Sequence, residues 1–150
     1  MKKICIPAVI IATLMFLPGF AFAQKLSPKE IKDGTAYYDG AELPLFGKAF
    51  EGDCANGRYR RLPARLEGGC RGALWYLGQE SAGLYLRFRS DSPFVKAHWV
   101  STFDNRMNHM TDTGVKGLDL YFLHDGKWRF AGSGRPKGKE NEATIVANMD

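Results

Sequence analysis

Two stretches in the middle of the chain alternate apolar and polar side chains with a period of two. In residues 83–89, Leu84, Leu86 and Phe88 fall on one face, and Tyr85, Arg87 and Arg89 on the other. In residues 94–101, Val95, Ala97 and Trp99 oppose Lys96 and His98. That period marks a half-buried strand. Asp91-Ser92-Pro93 lies between the two runs, so an antiparallel hairpin is expected there. Residues 117–123 read as a further strand. The Asp-Gly pair in His124-Asp125-Gly126-Lys127 suits a type I′ turn, and residues 128–131 return from it. Residues 143–147 give one more strand, after a loop over 133–141 rich in Gly, Pro and charge.

The first half is less regular. Ser27-Pro28-Lys29-Glu30-Ile31 has the residues of a helix start, with Ser as N-cap, Pro at the first position and Glu at the third. Residues 35–38 read as a short aromatic strand, and residues 42–46 as a brief extended piece around Pro44. Residues 47–57, with Cys54, read as a loop. Residues 59–62 read as a strand ending at Pro63, residues 63–72 as a connection holding Cys70, and the apolar, aromatic residues 73–77 as buried. Residues 102–116 form a long polar loop without periodicity, and loops of that length in compact domains are often functional. No helix of ordinary length is needed. Short strands with frequent turns predict an all-β domain, a β-sandwich of jelly-roll-like form.

The first residues bear on the compartment. Lys2 and Lys3 precede an apolar run over residues 4–20, and Ala21-Phe22-Ala23 offers small residues at the −3 and −1 positions. This is the layout of a secretory signal over residues 1–23, cleaved after Ala23. The competing reading, a membrane anchor, meets a run at the short end for spanning ~30 Å of hydrocarbon, interrupted by Pro18 and Gly19. An exported chain, periplasmic or extracellular, is therefore expected, with no membrane attachment once the signal is cleaved. Residues 24–150 then form one domain. The net charge of +5 falls by the two lysines of the signal to a mild +3. The Arg58, Arg60, Arg61, Arg65 and Arg71 group reads as a solvated face or local ion pairs, and no nucleic-acid partner is expected. Cys54 and Cys70 remain after processing. In an oxidising compartment they invite a disulfide, which would close a loop of about sixteen residues and add roughly 3 kcal/mol. Two free buried thiols are the alternative. No CxxC or close histidine pair accompanies them, so neither a metal nor any other cofactor is expected.

Catalytic chemistry finds little support. Ser81, in Gly78-Gln79-Glu80-Ser81-Ala82-Gly83, lacks the spacing of a nucleophile elbow, and Ser133 sits between two glycines as in a turn. His98 and His124 read as structural or solvated. His109, in the long loop, is the better candidate, as a ligand contact rather than a general base, since no third residue orients it. Asp119 stands in a strong strand between Leu118 and Leu120, on the face shared by Tyr121, and a carboxylate there needs hydrogen-bond partners from loop backbone or an arginine. Trp75, Tyr76, Tyr85, Trp99, Tyr121 and Trp128 exceed what a small core requires, and one or two on a concave face could stack on sugar rings. A polysaccharide is thus a conceivable partner, and a free-standing carbohydrate-binding module the second reading.

Gly117-Leu118-Asp119-Leu120-Tyr121 has the form G-x-D-L-Y. Around it, in order, stand Arg61-Leu62-Pro63, Trp75-Tyr76-Leu77, Ser81-Ala82-Gly83-Leu84, Arg87-Phe88-Arg89-Ser90-Asp91-Ser92, the Trp99 strand, and His109-Met110 with Thr113-Gly114. Together they resemble the domain found in front of the catalytic domain in SGNH-hydrolase-type (GDSL-like) esterases. That resemblance implies a β-sandwich packed in cis on an SGNH hydrolase catalytic domain, which carries the serine nucleophile, oxyanion hole and His/Asp pair. It implies ester-decorated saccharides as substrates, and an accessory part for this chain with no catalytic residues of its own. By position, His109, Met110 and Asp119 are the candidates for the edge of the substrate mouth. Relative to that family the chain stops at Asp150, before the last strands of the sandwich and before the hydrolase domain. A truncated product of marginal stability is the expectation.

Overall fold

A computed structural model describes residues 25–50 and 57–149. The signal-like segment and Cys54 lie outside the described residues. Strand dominates over helix, so the all-β expectation holds. The chain divides into two compact units, Met1–Phe88 and Arg89–Asp150.

The first unit opens with β1 (Glu30–Lys32) and β2 (Thr35–Tyr37), an antiparallel pair with Lys32 opposite Thr35. The helical start expected at Ser27 is not formed. Asp33 and Gly34 both take positive φ, 49° and 73°, which is the two-residue type I′ turn, and its twist sends the chain straight back as a strand. A 3₁₀ turn, Gly40–Glu42, is capped by Asp39, whose carboxylate accepts from Ala41 N at 2.9 Å. β3 (Leu45–Phe46) pairs with β4 (Tyr85–Leu86), and Phe46 stacks on Tyr85 at 5.3 Å.

Two segments of this unit differ from expectation. Residues 59–62 form turn and coil instead of a strand, because the arginines there are spent on other segments. The Arg58 guanidinium donates to Leu43 O, Arg60 to Gln79 Oε1 at 3.2 Å, and Arg61 to Leu77 O and Glu80 O, both at 2.9 Å. These bonds go to backbone carbonyls and a neutral amide rather than to acids, so the arginine group is in part a device for tying loops. The stretch expected to be buried is instead a helix, α1 (Gly72–Gly78), with Leu74, Tyr76 and Leu77 exposed. Arg61 bonds the carbonyls at its C-terminal end, where a cation is favoured. Gly78 is buried against Leu62, where a Cβ would come within 2.1 Å of Leu62 Cδ1.

The second unit holds β5 (Phe94–Val100), a short helix α2 (Asp112–Lys116), β6 (Leu118–His124), β7 (Lys127–Gly134) and β8 (Glu140–Ala147). The alternation read along β5 is real: Val95, Ala97 and Trp99 are half-buried, and Lys96, His98 and Val100 are exposed. Its partner is not β4, however. β5 pairs antiparallel with β8, and the expected hairpin across Pro93 is absent. Ser92 bonds locally there, its hydroxyl donating to Phe94 O at 2.8 Å, and Pro93 O accepts from Met149 N at 2.7 Å, extending the β5–β8 pairing. β8 starts earlier and β7 runs further than the sequence suggested, leaving residues 135–139 as the loop between them.

β6 and β7 form the hairpin expected at Asp125-Gly126, whose φ values of 49° and 71° make the type I′ turn. The two-stranded sheets β5–β8 and β6–β7 meet through glycine. A Cβ on Gly132 would reach Ile145 O at 2.4 Å, and one on Gly134 would reach the Trp99 ring at 3.0 Å. Small residues here let one sheet lie against the other. Among the described residues no apolar side chain is fully withdrawn from solvent except Pro63, and large apolar side chains remain exposed in both units.

Candidate functional site

The G-x-D-L-Y stretch sits where α2 passes into β6, and each of its residues has a physical task. Gly117 carries no side chain because none fits: a Cβ would come within 2.4 Å of Thr113 O and 3.0 Å of Gly134 O. Its N–H closes α2 on Thr113 O at 2.9 Å. Asp119 accepts a hydrogen bond from the Ser133 hydroxyl at 2.6 Å, directly across the hairpin. The partner is thus a neighbouring hydroxyl, not the loop backbone or arginine anticipated. Leu120 is half-buried opposite Gly132. Tyr121 meets Phe130 edge to face at 5.7 Å.

The register places these residues on two faces. Tyr121 is opposite Phe130, whereas Leu120 is opposite Gly132, so Ala131 is an extra residue on β7. Such a bulge inverts the side-chain parity of the strand that carries it. Asp119, Tyr121 and Leu123, with Ser133, Phe130 and Trp128, therefore share the outer face. Gly132 and Gly134 point inward at Ile145 and Trp99.

The segment before α2 is less of a loop than its composition suggests. Met107 and Met110 bridge across a tight turn that holds Asn108 and His109. His109 is exposed, and its Nδ1 lies 3.1 Å from Asn108 Oδ1. Met110 packs at Gly114, where a Cβ would stand 2.9 Å from its Cγ. Lys116, its side chain largely withdrawn from solvent, pairs with Asp104, and its carbonyl accepts from Trp99 Nε1 at 2.9 Å. The segment is stitched to β5 at that residue. His109 and Met110 thus stand on the turn before α2, and Asp119 on the strand after it, its hydrogen bond going to Ser133. His98 lies 3.2 Å from Glu140 and His124 3.3 Å from Asp125, both on exposed strand or turn positions. Ser81 opens a turn closed by Leu84 N at 3.0 Å. Cys70 is half-buried with its thiol 3.5 Å from Leu66 O. Among the described residues no three His, Cys, Asp or Glu side chains gather as metal ligands, and no helix is long and apolar enough to cross a membrane.

Two carboxylates titrate low. The hydrogen bond from Lys116 holds the Asp104 carboxyl below the usual range, helped by the charges of Lys116 and Arg106. The Ala41 N–H and Lys29 do the same for Asp39. A depressed folded-state pKa adds stability above the ordinary carboxylate range and loses it as pH falls through the lowered value. Asp104→Asn is therefore expected to unfold more easily than the parent chain at pH 6. The gap should close as urea titrations move below about pH 4. An equal gap at pH 6 and pH 2.5 would show that the ion pair has no part in it.

The model of the family described as GxDLY, N-terminus of SGNH-hydro-type esterases, matches residues 35–150. The chain belongs to this family. Among solved structures, a Bacteroides ovatus protein described as a GDSL-like lipase is 36% identical with a TM-score of 0.67, over 73% of this chain. The match spans 32% of that protein, so the GxDLY chain corresponds to about a third of its relative. No curated protein matches. The ordered motifs from Arg61 to Tyr121 thus carried the family correctly. What the sequence did not reveal is the Ala131 bulge, which brings Ser133 to Asp119 and aligns the aromatic side chains of β6 and β7 on one outer face.

Proposed function

We propose that this GxDLY chain is a non-catalytic accessory domain of an exported SGNH-type carbohydrate esterase, seated on the hydrolase domain and framing its substrate mouth. The observation that carries the reading is the family match over residues 35–150, set beside a relative of which this chain covers only 32%. The apolar surface agrees with it. Leu74, Tyr76 and Leu77 of α1 are exposed, and unspent apolar side chains on a helix are what a neighbouring domain covers. His109 and Met110, on an exposed turn, and Asp119, at the start of β6, form the edge presented to the mouth. The signal-like residues 1–23 support export from the cytoplasm, while Cys70, the one cysteine among the described residues, stands as a free thiol and gives no support to a disulfide with Cys54.

The test is hydrolysis of p-nitrophenyl acetate by the purified chain from Gln24 to Asp150. No turnover above a buffer blank is expected. Turnover that disappears in Ser81→Ala or His109→Ala would overturn the reading and make the chain an esterase in its own right.

A further inference from the structure

The geometry points to a site for a soft monovalent cation, Cu(I) or its chemical counterpart Ag(I), on the turn Met107-Asn108-His109-Met110. The site goes beyond the accessory role: all of its donors come from this chain, so it stands with or without a hydrolase domain. Met107 and Met110 face each other in an antiparallel bridge, with Asn108 and His109 between them. Side chains of residues paired in this way leave on one side of the ribbon, their Cβ atoms about 4.5–5.5 Å apart, so two thioether sulfurs can converge on one ion. Both methionines are open to it, 39% and 45% exposed on a turn, away from the core-filling task that methionine usually has. Met110 is also held in place. Its Sδ lies against Gly114, where a Cβ would stand 3.2 Å from the sulfur, and the bare glycine leaves that room.

His109 supplies the third donor. Its ring is exposed, and its Nδ1 lies 3.1 Å from Asn108 Oδ1. An amide oxygen only accepts, so Nδ1 carries the proton and Nε2 keeps its lone pair for a ligand bond. Metal-binding histidines are held by a neighbour in this way, with the tautomer set by the nitrogen that does not bind. The donor set then names the ion. Thioether sulfur suits Cu(I), whereas magnesium, calcium and manganese take oxygen. Zinc takes thiolate, imidazole or carboxylate. Two thioethers and a neutral imidazole bring no negative charge, and carboxylates of the same segment are engaged by cations: Asp112 faces Arg106 at 3.6 Å, and Asp104 pairs with Lys116. A divalent ion would go uncompensated here, while a monovalent one adds a single charge.

Titration of the intact chain with silver nitrate in chloride-free buffer, followed by carbon–proton NMR of isotope-labelled methionine methyls, tests the site. The Met107 and Met110 methyls are expected to shift together and to level off at the same added silver, while the Met149 methyl stays in place over that range. Silver taken by the Cys70 thiol moves none of the three, so the methyls read this site alone. Met107→Leu and Met110→Leu, which keep the side-chain size, should each leave the remaining methyl unshifted over the same range. His109→Ala and, more weakly, Asn108→Ala should reduce binding within about 10–100-fold, the range for a ligand's supporting partner or more. His98→Ala, whose ring faces Glu140, should change nothing. Zinc sulfate at the same concentrations should shift neither methyl. The proposal fails if Met107 and Met110 titrate separately, or if Met149 moves with them, since either result means isolated thioethers and no common site. It fails equally if His109→Ala binds silver as the parent chain does.

Discussion

Replacing Gly117 by alanine should destabilise the unit from Arg89 onward by about 2–3 kcal/mol, the range for forcing a methyl into a closed site. The added carbon would stand 2.4 Å from one backbone oxygen and 3.0 Å from another, and neither belongs to a flexible side chain that could turn aside. Thr113 O is fixed by α2 and Gly134 O by the β6–β7 ladder, so relief means moving the helix away from the hairpin. Gly117 has an ordinary extended conformation, φ −78°, so the effect comes from space and not from backbone strain. Gly72→Ala is the matched control. Its Cβ would meet nothing within 4 Å, and it opens α1, where alanine is the better helix former. Urea unfolding of the two variants beside the parent chain checks this. Equal midpoints for Gly117→Ala and the parent would show that α2 and the hairpin are not closely packed.

The second large effect is expected at Asn141, one of the few buried polar side chains among the described residues, at 3% exposure. Its Oδ1 accepts from Lys137 N at 2.7 Å and Gly138 N at 3.1 Å, and its Nδ2 donates to Gly138 O at 3.1 Å and Lys139 O at 3.2 Å. One amide thus satisfies the backbone of the loop that joins β7 to β8. Asn141→Leu leaves those groups without their partner. It should cost roughly 3 kcal/mol, at the upper end for stranding buried donors and acceptors. Asn141→Asp keeps both accepting bonds but turns a carboxylate toward two carbonyls. It should be destabilised near neutral pH and recover in acid, where the group is protonated and can donate once. Thermal unfolding at pH 7 and pH 4 separates the two cases. A loss in Asn141→Asp that does not change with pH would contradict the bonding described.

Much of this was legible in the chain, and what was not has identifiable causes. The alternation of β5 was readable because its faces differ, one half-buried and one exposed. The Asp125-Gly126 turn was readable because only certain residues take two successive positive φ values. The equivalent Asp33-Gly34 turn was missed beside the stronger-looking Ser-Pro-x-Glu signal, although a local cap cannot hold a helix with no apolar stripe behind it. Strand partners were not legible: β5 finds β8 some forty residues away, and period two says that a strand has a buried face but not what lies beside it. The fates of Arg58, Arg60 and Arg61 were hidden for the same reason, since their carbonyl partners are distant in sequence. His109, Met110 and Asp119 were picked by resemblance. The bond of Asp119 to Ser133 depends on a register that alternation cannot give.

Residues 128, 130, 132 and 134 read Trp, Phe, Gly, Gly at every second position, as if one side of a strand changed from bulky to bare. The extra residue at Ala131 divides them, sending the rings outward and the glycines toward Ile145 and Trp99. A gain or loss of one residue in this strand is therefore not like one in a loop. Losing Ala131 would exchange the two sides, driving indole and phenyl rings into a gap sized for hydrogen atoms or leaving glycines where the rings now stand. Homologous chains should tolerate substitution along this strand far more readily than any change in its length.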